Sequence, residues 1–215
     1  MSNLNVLFRT EVGSNMWGMK RPDSDVDEMV VYQQDIKEIL SGYAIERARP
    51  QKVTVKNGVE WDTQYMEIGH LINLLIKGNV NALWTVTTPV ILQDSNVLED
   101  LKYLVYGNGI TKASYQSIRG IAHSQLLDSE RRKTSPKMFP NKSLKTSLRS
   151  VVFGINMMNT GTLKFLPIQH EVTESEVKDA FLRFDDAYAQ SKLPEKPDEA
   201  LFRKFLYEVR IGKRE

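Results

Sequence analysis

The sequence lacks cysteine altogether, in a chain of 215 residues. Disulfide bonds, thiol catalysis and cysteine-bound zinc are therefore excluded, and nothing indicates an oxidising compartment. No apolar run approaches the ~18–20 residues that a membrane span requires. The first residues, Met1–Asn5, lack the charged-then-apolar pattern of a signal peptide. We therefore expect a cytoplasmic protein that does not contact a membrane.

Histidine is scarce, and the common nucleotide-binding fingerprints are missing. The three histidines, His70, His123 and His170, are far apart and show no ligand spacing, so each is interpreted as a surface or partly buried residue. Neither a glycine-rich dinucleotide loop nor a Walker-type loop is present. The apolar and charged fractions, 41% and 26%, are ordinary for a soluble protein. A chain of this length forms one domain, or one and a half.

The net charge is small, +2, but the positive residues are unevenly placed. The segment 131–149 holds seven cations and no acid. Such a block favours a polyanionic partner, either polyphosphate or nucleic acid, although a solvated helix face would give the same pattern. The seven cations are Arg131, Arg132, Lys133, Lys137, Lys142, Lys145 and Arg149.

A pair of aspartates after a Gly-Ser dipeptide indicates a candidate metal-binding site. Asp25 and Asp27 follow Gly13 and Ser14 after a gap of ten residues. On a strand, residues i and i+2 share a face, and their Cα atoms lie roughly 6.6–7 Å apart. Two carboxylates at that spacing can reach a metal pair separated by roughly 3.5–4 Å. Gly13 allows the backbone to approach a phosphate, and Ser14 begins a turn whose N–H groups can bind anionic oxygens.

Two other interpretations of the acidic segment compete with a metal site. A calcium loop beginning at Asp23 needs glycine at its sixth position and glutamate at its twelfth. Those positions hold Glu28 and Gln34, so the calcium loop fails. A solvated acidic turn remains open, but it would not explain the apolar run Met29–Tyr32 that follows.

A predicted hairpin supplies a third carboxylate. Asn57-Gly58 between two β-rich segments is a strong hairpin signal, and a two-residue turn places Val55 opposite Glu60 and Val53 opposite Asp62. Asp62 then lies at the open end of the hairpin, beside the sheet that carries Asp25 and Asp27. Glu60 shares that face and is the second choice. Glu67, about one helical turn further on, is expected to pair with a lysine or to cap a helix.

The predicted fold class is α/β (α+β), with a small palm built on a mixed sheet in residues 1–94 and a mostly helical region in 95–215. Ser14 is expected to cap a helical turn that ends at Trp17. The predicted strands are Asn5–Val12, Asp25–Tyr32 and the hairpin; the predicted helices are Asp35–Leu40, Met66–Ile76, Asn81–Val86 (helical or extended), Ser95–Tyr106, Thr111–Arg132, Ser143–Asn159, Glu174–Gln190 and Asp198–Ile211.

These motifs resemble the DNA polymerase beta-like nucleotidyltransferase superfamily, whose signature is Gly-Ser, a gap of about ten residues, and Asp-x-Asp. The fuller string from Gly13 to Asp27 is closest to a branch of predicted nucleotidyltransferases associated with RNA repair. The resemblance covers roughly residues 6–168. It is supported by Asp62–Ile68, by Leu74–Asn81 with Val80 where proline is usual, and by Asn141–Arg149, where Lys145 and Thr146 stand near the usual histidine.

The resemblance implies a two-metal nucleotidyltransferase. Asp25, Asp27 and Asp62 would bind Mg²⁺ or Mn²⁺ and act in catalysis. The NTP would be bound by Gly13, Ser14, Lys142, Lys145 and Arg149, of which the last three share one helical face by spacing. The favoured acceptor is an RNA end, such as that of a tRNA, bound through the basic segment 131–149. The alternative acceptors are a protein hydroxyl and a small molecule. A different alternative is that the protein is an inactive nucleotide-binding regulatory module.

Overall fold

The computed structural model describes residues 4–21, 24–132 and 140–213. Within them, five strands form one sheet in the order β3-β4-β2-β1-β5. The β2–β4 pair is parallel and the other neighbours are antiparallel, so the predicted mixed sheet is confirmed. The strands are β1 Asn5–Glu11, β2 Val26–Gln33, β3 Ala48–Lys56, β4 Val59–Glu67 and β5 Ile91–Gln93.

Eight α-helices lie within the same ranges, mostly in the C-terminal half. Several begin at a side chain that accepts a backbone N–H, as with Asp35, Asn79 and Ser95. None of the described helices is long and apolar enough to cross a bilayer. They are α1 Ile36–Leu40, α2 Ile68–Ile76, α3 Val80–Thr87, α4 Asn96–Leu104, α5 Tyr115–Arg132, α6 Pro140–Thr160, α7 Glu174–Gln190 and α8 Glu199–Arg210.

The main hydrophobic core lies against one face of the sheet. Met29 and Val31 of β2 belong to this cluster, together with buried residues of α2 to α8. Val26, Val30 and Tyr32 point to the other face by strand alternation, and they are buried without belonging to the cluster. The core therefore joins the first side of the sheet to the helices. The division at residue 94 stays a prediction.

Several elements differ from the sequence-based prediction. In the helical half, α5 begins at Tyr115 instead of Thr111, and α6 begins at Pro140 instead of Ser143. The helix expected from Met66 begins at Ile68, because β4 continues to Glu67 and pairs with β2 on one side and β3 on the other. Pairing on both edges outweighs the helical pattern there. Strand β3 begins at Ala48, well before Val53. Strand β5 was missed, because three exposed residues after Pro89 carry no alternating pattern.

A buried ion pair fastens α8 to the end of β4. Glu67 is fully buried, and its carboxylate lies 2.6 Å from the Arg210 guanidinium. The same carboxylate accepts a 2.6 Å hydrogen bond from the Gly69 N–H and so caps α2. Glu67 therefore caps α2, as expected, while its ion-pair partner is an arginine instead of a lysine. It joins β4, α2 and α8 at one point.

We predict that Arg210→Ala lowers the free energy of unfolding by about 3–5 kcal/mol, because it leaves Glu67 buried without its cation. Urea denaturation measures the change. The control is Lys204→Ala, which removes an exposed 3.9 Å pair on the same helix and should cost at most about 1 kcal/mol. Equal, small losses in both variants would contradict a stabilising role for the Glu67 contact.

Candidate active site

Asp27 and Asp62 stand side by side on neighbouring parallel strands. The register aligns Asp27 of β2 with Asp62 of β4, and their backbones are about 4.8 Å apart, the usual strand separation. The hairpin register is as predicted, with Val53 opposite Asp62 and Val55 opposite Glu60. Asp25 lies directly before β2, so the chain brings three carboxylates to one end of the sheet.

The electrostatics of Asp27 reflect this crowding. Burial raises the pKa of the Asp27 carboxyl, and the negative charges of Asp25 and Asp62 raise it further. Lys142 opposes the shift. Within the described residues no cation reaches ion-pair distance of Asp27. The site thus holds negative charge that the protein itself leaves largely uncompensated, which a bound cation would relieve.

Gly13 lies directly against the Asp27 carboxylate. A Cβ atom at Gly13 would stand 1.8 Å from Asp27 Oδ2, and the residue has a φ of +66°. The Val12 N–H donates to the Asp27 carbonyl oxygen at 2.8 Å, which ties the start of the loop to β2. The Asp27 carboxylate can therefore lie against the backbone of residue 13 only because this residue has no side chain.

The loop after Gly13 is a short 3₁₀ turn fixed by an aromatic residue. The Ser14 carbonyl accepts the N–H groups of Trp17 and Met19 at 3.2 and 3.1 Å, but the Ser14 side chain does not cap the turn, contrary to expectation. Trp17 is 1% exposed and makes edge contacts with three aromatic rings. Those rings belong to Trp84, Phe153 and Phe165, at centroid distances of 5.4, 5.9 and 5.1 Å.

Arg149 approaches this loop from α6. Its guanidinium lies 5.2 Å from the centroid of the Trp17 ring, and one terminal nitrogen lies 3.8 Å from the Met19 sulfur. Burial lowers the pKa of Arg149 to about 10, while the Asp27 charge raises it. In the described part of the chain the buried Nε atom has no hydrogen-bond acceptor. A buried guanidinium with an unused donor is suited to an anionic ligand.

The two predicted lysines of α6, Lys142 and Lys145, have different electrostatic partners. Lys142 is exposed and acts electrostatically on Asp27. Lys145 is directed to Glu171, with its ammonium 3.6 Å from that carboxylate. The structure therefore places Lys142 and Arg149, but not Lys145, toward the carboxylates. Lys133 and Lys137 lie outside the described residues, as does the Arg132 side chain.

Sequence reasoning missed a contact of the third carboxylate. The Gln51 side chain donates a hydrogen bond to Asp62 Oδ1. Gln51 lies two residues before Val53 on the face of Asp62, so the predicted hairpin register could have identified it as a diagonal neighbour. Glu60 lies nearer the turn, two residues farther from Asp27's position in the ladder.

The donor chemistry of the site fits a hard divalent cation. Asp25, Asp27 and Asp62 offer only oxygen ligands, which Mg²⁺ and Mn²⁺ prefer. As the side chains stand, no three His, Asp, Glu or Cys groups in the described ranges are arranged around a single metal position. The fit therefore rests on the backbone register and on the uncompensated charge. Their role as metal ligands stays a prediction.

A separate cleft of about 550 Å³ lies between α6 and α7, and it includes Leu148, His170 and Glu176. None of the predicted site residues lines it. His170 is exposed and lies 2.8 Å from the Glu176 carboxylate, as expected for a surface histidine.

We predict that Gly13→Ala destabilises the protein far more than Gly18→Ala. The two glycines have nearly the same φ, +66° and +67°, so the backbone strain of adding a side chain is matched. Only Gly13 faces an obstacle, since nothing lies within 4 Å of a Cβ at Gly18. Thermal unfolding compares the variants. Asp27→Ala added to Gly13→Ala should restore part of the loss, and failure to do so would contradict the Gly13–Asp27 contact.

We also predict that Asp27→Asn raises the melting temperature of the metal-free protein at pH 7 by about 2–4 °C, the shift that ~1 kcal/mol gives in a chain of this size. The raised pKa means that stability is lost as the pH rises through the titration of Asp27 in the folded state. The difference should close as the pH falls toward 3.8, the ordinary value. Calorimetry in EDTA measures it, with the exposed Asp186→Asn as control; a lower melting temperature for Asp27→Asn would refute the charge argument.

Comparison with known proteins identifies the family of the chain. No curated protein matches the chain. A solved nucleotidyltransferase-like protein from Exiguobacterium sibiricum is 13% identical, with 98% of this chain and 75% of that chain covered, at a TM-score of 0.36. A likeness of that size carries no inference. The family model described as the RNA repair pathway DNA polymerase beta family matches residues 1–187. The chain therefore belongs to the RNA repair pathway DNA polymerase beta family.

Proposed function

We propose that the protein is a metal-dependent nucleotidyltransferase that moves an NMP from an NTP to a hydroxyl at an RNA end. The observation that carries the proposal is the alignment of Asp27 with Asp62 across parallel strands, with the Gly13 backbone against the Asp27 carboxylate. Family membership supports a nucleotidyltransferase of the polymerase beta type. The acceptor is inferred from charge and from the family's description.

The chain's own groups divide the work of the reaction. Asp25, Asp27 and Asp62 would hold two Mg²⁺ ions, which when bound lower the pKa of the attacking hydroxyl and neutralise the triphosphate. Gln51, through its hydrogen bond to Asp62 Oδ1, orients the carboxylate on the acceptor side. Nucleotidyl transfer depends on positioning and charge neutralisation more than on covalent assistance from the protein, which suits this set of residues.

The groups that would bind the triphosphate lie in the loop that begins at Gly13 and on helix α6. The Gly13–Ser14 backbone lies beside the carboxylates, where N–H groups can donate to β- and γ-phosphate oxygens. Arg149 is held by the Trp17 ring and retains an unused Nε–H. Lys142 adds a positive charge near Asp27. These groups would bind the triphosphate on the α6 side of the carboxylates.

The decisive experiment uses each of the four NTPs labelled at the α-phosphate, with Mg²⁺ or Mn²⁺, and total tRNA, protein lysate or a small-molecule extract as acceptor. We expect label in the RNA and none in the other fractions. Label in protein or in a small molecule would replace the RNA acceptor by one of the alternatives. No labelling with any NTP, metal or acceptor would favour the inactive regulatory module.

In that assay, we predict that Asp62→Asn reduces transfer at least about 100-fold while largely sparing NTP binding, because Asp25 and Asp27 still hold the triphosphate-side ion. Glu60→Gln is the matched control on the same strand face and should lose less than about threefold. Single-turnover rates and NTP affinity are measured separately. If Glu60→Gln were the inactive variant, Asp62 would not be the third ligand.

We further predict that Arg149→Met weakens NTP binding at least about tenfold without destabilising the ligand-free protein, since methionine replaces a buried, poorly compensated charge by an apolar group. Lys178→Met, at an exposed position on α7, is the control and should leave affinity unchanged. Thermal shift with and without NTP reads both quantities. Unchanged NTP affinity in Arg149→Met would remove Arg149 from the site.

A further inference from the structure

The sheet face opposite Asp27 is a surface that the proposed reaction does not use. Thr63 Oγ donates to Glu28 Oε2 at 2.8 Å, which fixes Glu28 and Thr63 on the same face. By alternation, Trp61 and Tyr65 of β4 share that face, while Asp62 points away from it. The buried β2 residues of this face, Val26, Val30 and Tyr32, lie outside the main hydrophobic cluster.

Two aromatic rings are partly exposed there. Trp61 and Tyr65 are four residues apart on β4, so they are separated by about 13 Å along the strand. The Lys56 ammonium lies over the Trp61 ring, 3.8 Å from its centroid. Lys56 therefore covers one face of the ring, and a base stacks on Trp61 either at its other face or by displacing this lysine. Two separated aromatic faces on one strand can each stack a base of an extended strand.

The charges on this face are layered. Glu11 and Glu28 are each 3% exposed, and they pair with Lys20 at 3.3 Å and Arg9 at 3.0 Å. Those two cations are 40% and 35% exposed. The acids therefore lie beneath and the cations face solvent.

The neighbouring edge strand adds further positive charge. Lys52 and Lys56 of β3 are exposed and share the face of Trp61, since Lys52 pairs with Thr63 and Lys56 with Val59. Around Trp61 the outer layer is positive, whereas beside Tyr65 the Arg49 guanidinium is paired with the Glu46 carboxylate at 3.0 Å. Exposed positive side chains beside an aromatic ring complement a phosphate backbone better than they complement an apolar partner without negative charge.

We propose that this face, defined by Trp61, Tyr65, Arg9, Lys52 and Lys56, binds single-stranded RNA. The choice of RNA over DNA rests on the proposed function; the stacking and charge arguments do not. A sheet surface with separated rings accepts unstacked bases, whereas a duplex hides its base faces. The carboxylates lie on the opposite face of the same sheet. At the edge strand β3, Lys52 lies on the proposed RNA face and Gln51, bonded to Asp62, lies on the face of the carboxylates.

Intrinsic fluorescence provides a direct test with a uridine 12-mer and no NTP. Trp17 and Trp84 are 1% and 8% exposed, so quenching by the oligonucleotide should report on Trp61. We expect quenching in the wild type and its loss in Trp61→Phe, which keeps an aromatic ring. Quenching that persists in Trp61→Phe would overturn the proposal.

Affinity measurements with the labelled 12-mer separate stacking from charge. Trp61→Ala and Tyr65→Ala should each weaken binding about tenfold, as for the loss of one stacked base. Tyr103→Ala, 85% exposed on α4, is the aromatic control and should have no effect. Lys52→Ala with Lys56→Ala should reduce the salt slope by about 1.4, two phosphate contacts at about 0.7 each. Equal effects of Trp61→Ala and Tyr103→Ala would contradict the assignment.

Two further arms keep the proposals apart. Asp25→Asn with Asp27→Asn should abolish transfer and retain full 12-mer binding. In the unsubstituted protein, failed transfer with intact 12-mer binding would count against the proposed reaction alone. Preference for a duplex over the single strand, or for the deoxy-oligonucleotide over the RNA, would overturn this inference while leaving the reaction standing.

Discussion

The parallel pairing of β2 with β4 is the constraint on which the candidate site depends. A shift of one residue would turn Asp62 to the opposite face of the sheet and bring Trp61 or Thr63 beside Asp27. The register is held at its far end by Glu67, which caps α2 and binds Arg210. Burial of Val26 and Thr63 on the opposite face resists the same slip. Carboxylate spacing is thus set by interactions made elsewhere along the two strands.

The fold treats its buried charges in two ways. Glu11, Glu28 and Glu67 each have a cation partner within 3.3 Å, so their burial is compensated within the protein. Asp27 has a raised pKa, and Arg149 a lowered one, because neither is fully compensated. Both incompletely compensated groups contact the same loop, Asp27 at Gly13 and Arg149 at Trp17 and Met19. Under the proposed function, this incomplete compensation would favour binding of a cation at Asp27 and an anion at Arg149, at some cost in stability.

Much of the palm could be predicted from local signals. Asn57-Gly58 fixed the hairpin and hence the position of Asp62, because turn type determines register. Helical spacing, by contrast, predicted Arg149 and Lys145 together. Lys145 instead pairs with Glu171, which lies in a loop whose position helical spacing does not predict. The Gly13–Asp27 contact joins two segments through tertiary packing, so neither segment alone reveals it. Strand β5 depends on an available edge of β1 rather than on its own three residues.

The burial of Trp17 has a consequence for how substrate enters. Its ring packs against Trp84 of α3, Phe153 of α6 and Phe165. The 3₁₀ turn is therefore packed into the core through Trp17. Moving the turn away would expose an indole ring that is almost fully buried. A turn anchored in this manner acts as a fixed shelf, not a lid. For the proposed reaction, we therefore expect this turn to stay in place while substrates are exchanged.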